Sequence, residues 1–192
     1  NIDKLTYAAN RETSRIKDRN YRFFQTDINE IDTVRGILNH FSPRIIFHFA
    51  AESHVDRSIH SSSEFIKTNI NGTHALLAAS LQYFSGLGAD TKSQFKFINI
   101  STDEVYGSLL INDDGFTEDS PLAPNSPYSA SKASSDLLAR AFYKTHSLPV
   151  IITRCSNNFG PFQHKEKFIP TIISAALENK KIPIYGAGCQ IR

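Results

Sequence analysis

Apolar residues recur along this chain with two different periods, and the two alternate. Short runs rich in β-branched and aromatic side chains, Arg22–Gln25, Arg44–Phe49, Phe95–Ile100 and Val150–Arg154, read as strands. Between and after them, apolar positions spaced three and four apart predict helices over Asp32–His40, Ser63–Phe84, Tyr128–His146 and Phe168–Asn179. In the third helix, Leu137, Leu138, Ala141 and Phe142 form the stripe expected to face the core. Residues Leu109–Pro127 are rich in Asp, Asn, Gly, Pro and Ser without a period, which predicts a loop. Such alternation predicts an α/β fold built on a doubly wound parallel sheet. In such sheets ligands bind beyond the carboxyl ends of the strands, so chemistry is sought in the residues that follow each strand.

Composition narrows the function classes. The chain has 192 residues, room for one apolar core, and 21 Lys and Arg against 19 Asp and Glu. The small basic groups at Lys165–Lys167 and Lys180-Lys181 read as solvated faces, so no nucleic-acid partner is expected. Every apolar run is broken well short of a bilayer span, and Asn1-Ile2-Asp3-Lys4 does not open a signal peptide, which makes a cytoplasmic location the expectation. Cys155 and Cys189 lack the spacing of a zinc site or disulfide scaffold and are expected to be reduced thiols. The sequence contains no methionine, so translation is expected to start ahead of Asn1. His48, His54 and His60 do not align as ligands on one strand or helix; structural roles are expected, with no metal.

Two short patterns carry chemistry. Ser126 is suited to cap a helix that begins with Pro127, where the missing amide proton is harmless. Tyr128 and Lys132 then fall one turn apart on one face, an arrangement in which an ammonium is expected to lower the phenol's pKa and make it a base. Alone, such a pair is common on exposed helices. The second pattern, Ile100-Ser101-Thr102-Asp103-Glu104-Val105-Tyr106-Gly107, runs from an apolar strand straight into a hydroxyl and two carboxylates. It would serve as a turn with a helix cap, or as an acid/base set beside Tyr128.

With the run Phe49-Ala-Ala-Glu-Ser-His-Val-Asp-Arg-Ser58, these patterns resemble the dTDP-glucose 4,6-dehydratases, nucleotide-sugar dehydratases of the extended short-chain dehydrogenase/reductase superfamily. The similarity continues through Arg154–Pro161, Glu166–Pro170, Pro183–Gly186 and Gln190–Arg192. It implies a Rossmann-like sheet, bound NAD, a homodimer, and Thr102, Asp103, Glu104, Tyr128 and Lys132 as the catalytic set. It places Asp3, Lys4, Leu5, Thr6, Asp27, Ile28, Phe49, Ala50, Ala51, Glu52, Thr68 and Asn158 on the cofactor together with Tyr128 and Lys132. An acid such as Asp3 at the ribose favours NAD over its 2′-phosphorylated form. It places Ser53, Thr102, Asn157, Lys167, Phe168, Pro183, Ile184, Tyr185 and Arg192 on a nucleotide-sugar substrate. Related epimerases carry small hydroxyl residues where Asp103 and Glu104 stand, so that pair points to dehydration.

The resemblance implies a division into an NAD-binding part, residues 1–160, and the start of a substrate-binding region, residues 161–192. It also puts the first strand with its glycine-rich pyrophosphate turn ahead of Asn1, and the rest of the substrate lobe beyond Arg192. Residues 1–192 by themselves are not expected to be active. The alternatives are another nucleotide-sugar enzyme of the same fold, a UDP- or GDP-sugar dehydratase or an epimerase, and a catalytically silent NAD-binding regulator.

Overall fold

The computed structural model describes residues 1–182, in two compact units that are taken separately. The larger comprises Ile2–Lys4 and Phe24–Cys155. It holds five strands: β1 (Ile2–Asp3), β2 (Phe24–Gln25), β3 (Ile45–His48), β4 (Lys96–Thr102) and β5 (Val150–Cys155). Its helices are α1 (Ile31–Phe41), α2 (Val55–His60), α3 (Ser63–Phe65), α4 (Thr73–Ser85), α5 (Ala89–Gln94) and α6 (Pro127–His146). All strand pairs are parallel, in a two-stranded sheet β1-β2 and a three-stranded sheet β3-β4-β5.

β4 is the middle strand, and its alternation sets the core. Phe97, Asn99 and Ser101 are buried on one face, and Phe95, just before the strand, is also fully buried. Around them pack Val34 and Leu38 of α1, Leu76, Leu77, Ala79 and Tyr83 of α4, Ala139 of α6, and Leu148. Each phenylalanine so buried contributes roughly 1.5–3 kcal/mol. The Tyr83 hydroxyl finds the Pro43 carbonyl at 3.0 Å, so its polar end is satisfied.

Two expectations about helices are corrected. The single helix expected over Ser63–Phe84 is interrupted by a π-helical turn, Ile66–Gly72, between α3 and α4. That turn brings Thr68, Asn69 and Gly72 all inside, and a Cβ on Gly72 would lie 2.6 Å from the Ile28 Cδ1 atom. The expected apolar stripe on α6 holds only in part: Leu138 and Phe142 pack against the core, but Leu137 is 58 % exposed and Ala141 faces outward. The buried face is instead Ser129, Ser131, Lys132, Ala133, Ser135, Asp136 and Ala139. A polar face can be buried there because β4, β5 and the π-helical turn supply its hydrogen-bond partners.

Gly107 closes the turn after β4 with a φ of +98°, and a Cβ there would stand 2.5 Å from the Ala123 carbonyl oxygen. Replacing it with alanine combines backbone strain with a clash against main chain. Gly107→Ala is expected to destabilise the protein by roughly 1–3 kcal/mol. An unchanged melting temperature would contradict this reading of the turn.

Among the described residues, the smaller unit comprises Asn1, Leu5–Phe23 and residues 156–182. It contains a 3-10 helix, Arg11–Arg15, and α7 (Phe168–Leu177). The Tyr7 hydroxyl lies 3.1 Å from a Glu166 carboxylate oxygen, and its ring meets the His164 ring edge to face at 5.6 Å.

Candidate active site

The site is built where β4 ends. Thr102 is the last strand residue, and Asp103–Tyr106 follow as one 3-10 turn. The Thr102 Oγ1 atom caps that turn, accepting from the Glu104 amide at 3.3 Å, and donates to the Asp103 carboxylate at 3.2 Å. The turn-and-cap reading therefore holds as geometry. It also leaves two half-buried carboxylates at the carboxyl end of the central strand, where a doubly wound sheet binds its ligand.

α6 brings the second pattern to the same place. Ser126 and Ser129 form a reciprocal capping box, with Pro127 at the first helical position, as the sequence indicates. The Tyr128 amide donates to the Ser58 hydroxyl at 3.1 Å, and its ring stands edge-on to Phe65 at 6.4 Å. One turn on, the buried Lys132 Nζ atom donates to the Ile100 carbonyl at 2.6 Å. The ammonium is thereby tied to β4 two residues before Thr102.

The expected electrostatics of this pair are corrected. Burial pushes the Tyr128 phenol up to about 12, with the charges of Glu104, Cys155 and Asp103 adding to the rise and a Thr102 hydrogen bond opposing it. Burial also lowers the Lys132 ammonium, against the pull of Asp136. Burial, helped by two nearby carboxylates, sets the direction of the shift in place of the expected lowering by Lys132, so this environment alone leaves Tyr128 protonated at neutral pH.

Residues absent from the sequence-based set hold these elements together. Asn69, 1 % exposed in the π-helical turn, accepts from the Glu52 amide at 2.8 Å and donates to the Glu52 carbonyl at 2.9 Å and the Ser131 hydroxyl at 2.8 Å. It joins the segment after β3 to α6. His48, at the end of β3, places Nε2 2.8 Å from the Thr73 hydroxyl. Burial, with the Lys132 charge, pushes its pKa down to about 3, so it is neutral. The sequence signal for Asp136 is its place on the Tyr128 and Lys132 face of α6, one turn further on.

At the ends of β1 and β2, Asp3 is exposed, and the Lys4 Nζ atom lies 3.5 Å from both the Asp27 carboxylate and the Thr68 hydroxyl. Burial raises the Asp27 carboxyl, but the Asn29 amide groups and Lys4 outweigh it and the net shift is downward. Ile28 is buried, whereas Phe49 is 69 % exposed; Ala50, Ala51 and Glu52 are half-buried and Ser53 is exposed. Leu5, Thr6, Asn157, Asn158, Lys167 and Phe168 belong to the smaller unit. There Leu5 has a φ of 56°, Asn158 donates to the Ser156 carbonyl at 3.0 Å, Lys167 precedes α7, and Phe168 is 67 % exposed. Pro183, Ile184, Tyr185 and Arg192 lie outside the described residues. Among the described residues no helix is long and apolar enough to cross a membrane, and Cys155 forms no disulfide there, whereas Cys189 lies outside the described residues.

A parallel α/β unit with a Tyr-x-x-x-Lys helix beside the end of its middle strand defines an extended short-chain dehydrogenase/reductase. Over residues 1–192 the chain matches the family described as GDP-mannose 4,6 dehydratase, and it belongs to that family. It is 50 % identical over 194 residues to a dTDP-glucose 4,6-dehydratase of Haemophilus influenzae, covering 100 % of this chain and 57 % of the relative. It is 52 % identical over 202 residues to the dTDP-glucose 4,6-dehydratase of Salmonella typhimurium, covering 100 % and 56 %. A crystal structure of a dTDP-glucose 4,6-dehydratase from Streptomyces venezuelae with NAD bound superposes with a TM-score of 0.86 at 45 % identity, over 97 % of this chain and 55 % of that one. The chain thus spans little more than half the length of these relatives.

Proposed function

We propose that this chain carries the acid/base residues of an NAD-dependent dTDP-glucose 4,6-dehydratase, which forms the 4-keto-6-deoxy sugar nucleotide and water. The observation that carries the reading is the meeting of the Thr102-Asp103-Glu104 turn with Tyr128 and Lys132 at the end of β4. The donor set suits a dinucleotide. A carboxylate, Asp3, ends β1, where ribose hydroxyls need an acceptor, and the small residues Ala50 and Ala51 follow β3 and admit a planar ring. Thr68 offers a hydroxyl from the π-helical turn. A dinucleotide held by these residues would supply a hydride acceptor and donor for the sugar, and its oxidised form would add positive charge to the site.

The chain's own residues move the protons. Tyr128 takes the proton of the sugar 4-hydroxyl as C4 is oxidised, with the Lys132 ammonium held one turn away on the same helix. Thr102 donates to the resulting 4-keto oxygen. The ketone acidifies C5, Glu104 removes that proton, and Asp103 delivers one to the leaving 6-hydroxyl, so that water departs and a C5–C6 double bond forms. Hydride return to C6, with reprotonation at C5, completes a cycle without net redox change. Asn157, Asn158, Lys167, Phe168, Leu5 and Thr6 are proposed to contribute the remaining cofactor and substrate contacts.

Purification of the full-length protein is expected to yield bound NAD and conversion of dTDP-glucose to the 4-keto-6-deoxy product without net NADH release. Stoichiometric NADH release would make it a simple dehydrogenase; binding of NAD without turnover would make it a silent regulator. The long helices α4 and α6, with Leu137 and Tyr143 exposed on the latter, further support a two-fold dimer. Sedimentation of the same preparation as a monomer at micromolar concentration would remove that part of the proposal.

A further inference from the structure

α6 buries a carboxylate that the dehydration chemistry does not use. Asp136 is 1 % exposed and lies one turn beyond Lys132 and two beyond Tyr128. Both of its oxygens are engaged: the Asn99 side-chain amide of β4 donates to Oδ1 at 3.0 Å, and Arg154 Nε of β5 donates to Oδ2 at 2.8 Å. Arg154 does not stop there. Its Nη1 donates to the Tyr106 hydroxyl at 2.7 Å, and its guanidinium lies 5.0 Å from the centroid of the same ring. Tyr106 is itself stacked on Phe116, with ring centroids 5.1 Å apart and 23° between the ring planes. Tyr106 is the last residue of the 3-10 turn that bears Asp103 and Glu104.

A continuous chain of contacts thus runs from the helix of Tyr128 and Lys132, through Asp136 and Arg154, to the turn of the two carboxylates. A buried ion pair is a poor way to gain stability, since an apolar pair of the same volume often does as well or better. What it supplies is direction, because a guanidinium fork fixes the geometry of both its partners. Resting on the dehydratase reading, we infer that Arg154, held by Asp136, is a positioning residue that sets the turn bearing Asp103 and Glu104 against Tyr128, and so serves water loss specifically.

The test uses the full-length protein and two mild changes. Tyr106→Phe keeps the ring and removes only the hydroxyl that accepts from Arg154. Arg154→Lys keeps the charge opposite Asp136 and removes the fork. Stopped-flow measurement separates the rate of C4 oxidation from that of water loss. Each variant is expected to slow water loss relative to oxidation by roughly tenfold, the scale of one lost charge-assisted hydrogen bond. The double variant is expected to lower that ratio no further than the worse single variant, because both act through one linkage. A lower melting temperature with an unchanged ratio of the two rates would overturn the inference and leave the dehydratase reading intact. Multiplying effects in the double variant would overturn it too. Failure of the unaltered protein to dehydrate the sugar nucleotide would overturn the reading beneath it instead.

Discussion

Tyr128→Phe in the full-length protein is expected to slow turnover of dTDP-glucose by roughly a hundred- to ten-thousandfold, the range for loss of a general base. The change removes one oxygen and little else. The ring keeps its edge contact with Phe65, and the cap formed by Ser126 and Ser129 does not involve the side chain at 128. Stability should therefore stay near that of the unaltered protein. Oxidation at C4 is the first step to need this base, so it should slow together with everything downstream. Single-turnover kinetics on folded protein checks the point: a fall of less than tenfold would exclude Tyr128 as the base.

The second large effect falls on a different step. Asp103→Asn and Glu104→Gln keep the size of each side chain and remove its proton transfer. Water loss is expected to slow by roughly a hundredfold or more in each, while C4 oxidation survives better, so that the absorbance of reduced nicotinamide builds up before product appears. Glu104→Gln carries a further signature. Glu104 is the largest charge acting to raise the Tyr128 phenol. Removing it should lower the phenol's pKa, and the acid limb of the oxidation rate, set by the need for deprotonated Tyr128, should move to lower pH. If Thr102-Asp103-Glu104 were a turn and nothing more, both variants would lose stability with the order of steps unchanged.

How far the sequence reveals this site depends on whether each property is local. The parallel strands and the start of α6 are legible because β-branched runs and the Ser126-Pro127 pair act over a few residues. Thr102, Asp103 and Glu104 are legible for the same reason, since a strand ending in charge is visible in the chain itself. The buried face of α6 is not. Hydrophobic periodicity points to Leu137, yet the helix turns Lys132, Ser135 and Asp136 inward, because Ile100, Asn99 and Arg154 receive them. Those partners are close only once the sheet has formed. The π-helical turn is hidden likewise: it packs Gly72 against Ile28 and anchors Thr73 to His48, from segments distant in sequence. The direction of the Tyr128 shift needs both kinds of information. The spacing to Lys132 is written in the helix, whereas the burial and the nearness of Glu104 that outweigh it are set by the fold.

In the proposed cycle one enzyme oxidises C4 and returns the same hydride to C6, with Tyr128, Glu104 and Asp103 moving protons around it. The most direct measurement follows deuterium placed at C4 of dTDP-glucose through a complete reaction of the full-length protein. The expected result is a 4-keto-6-deoxy product carrying that deuterium in its C6 methyl group, with the cofactor oxidised at the end as at the start. Deuterium retained at C4, or left on released reduced cofactor with the 6-hydroxyl still in place, would contradict the account.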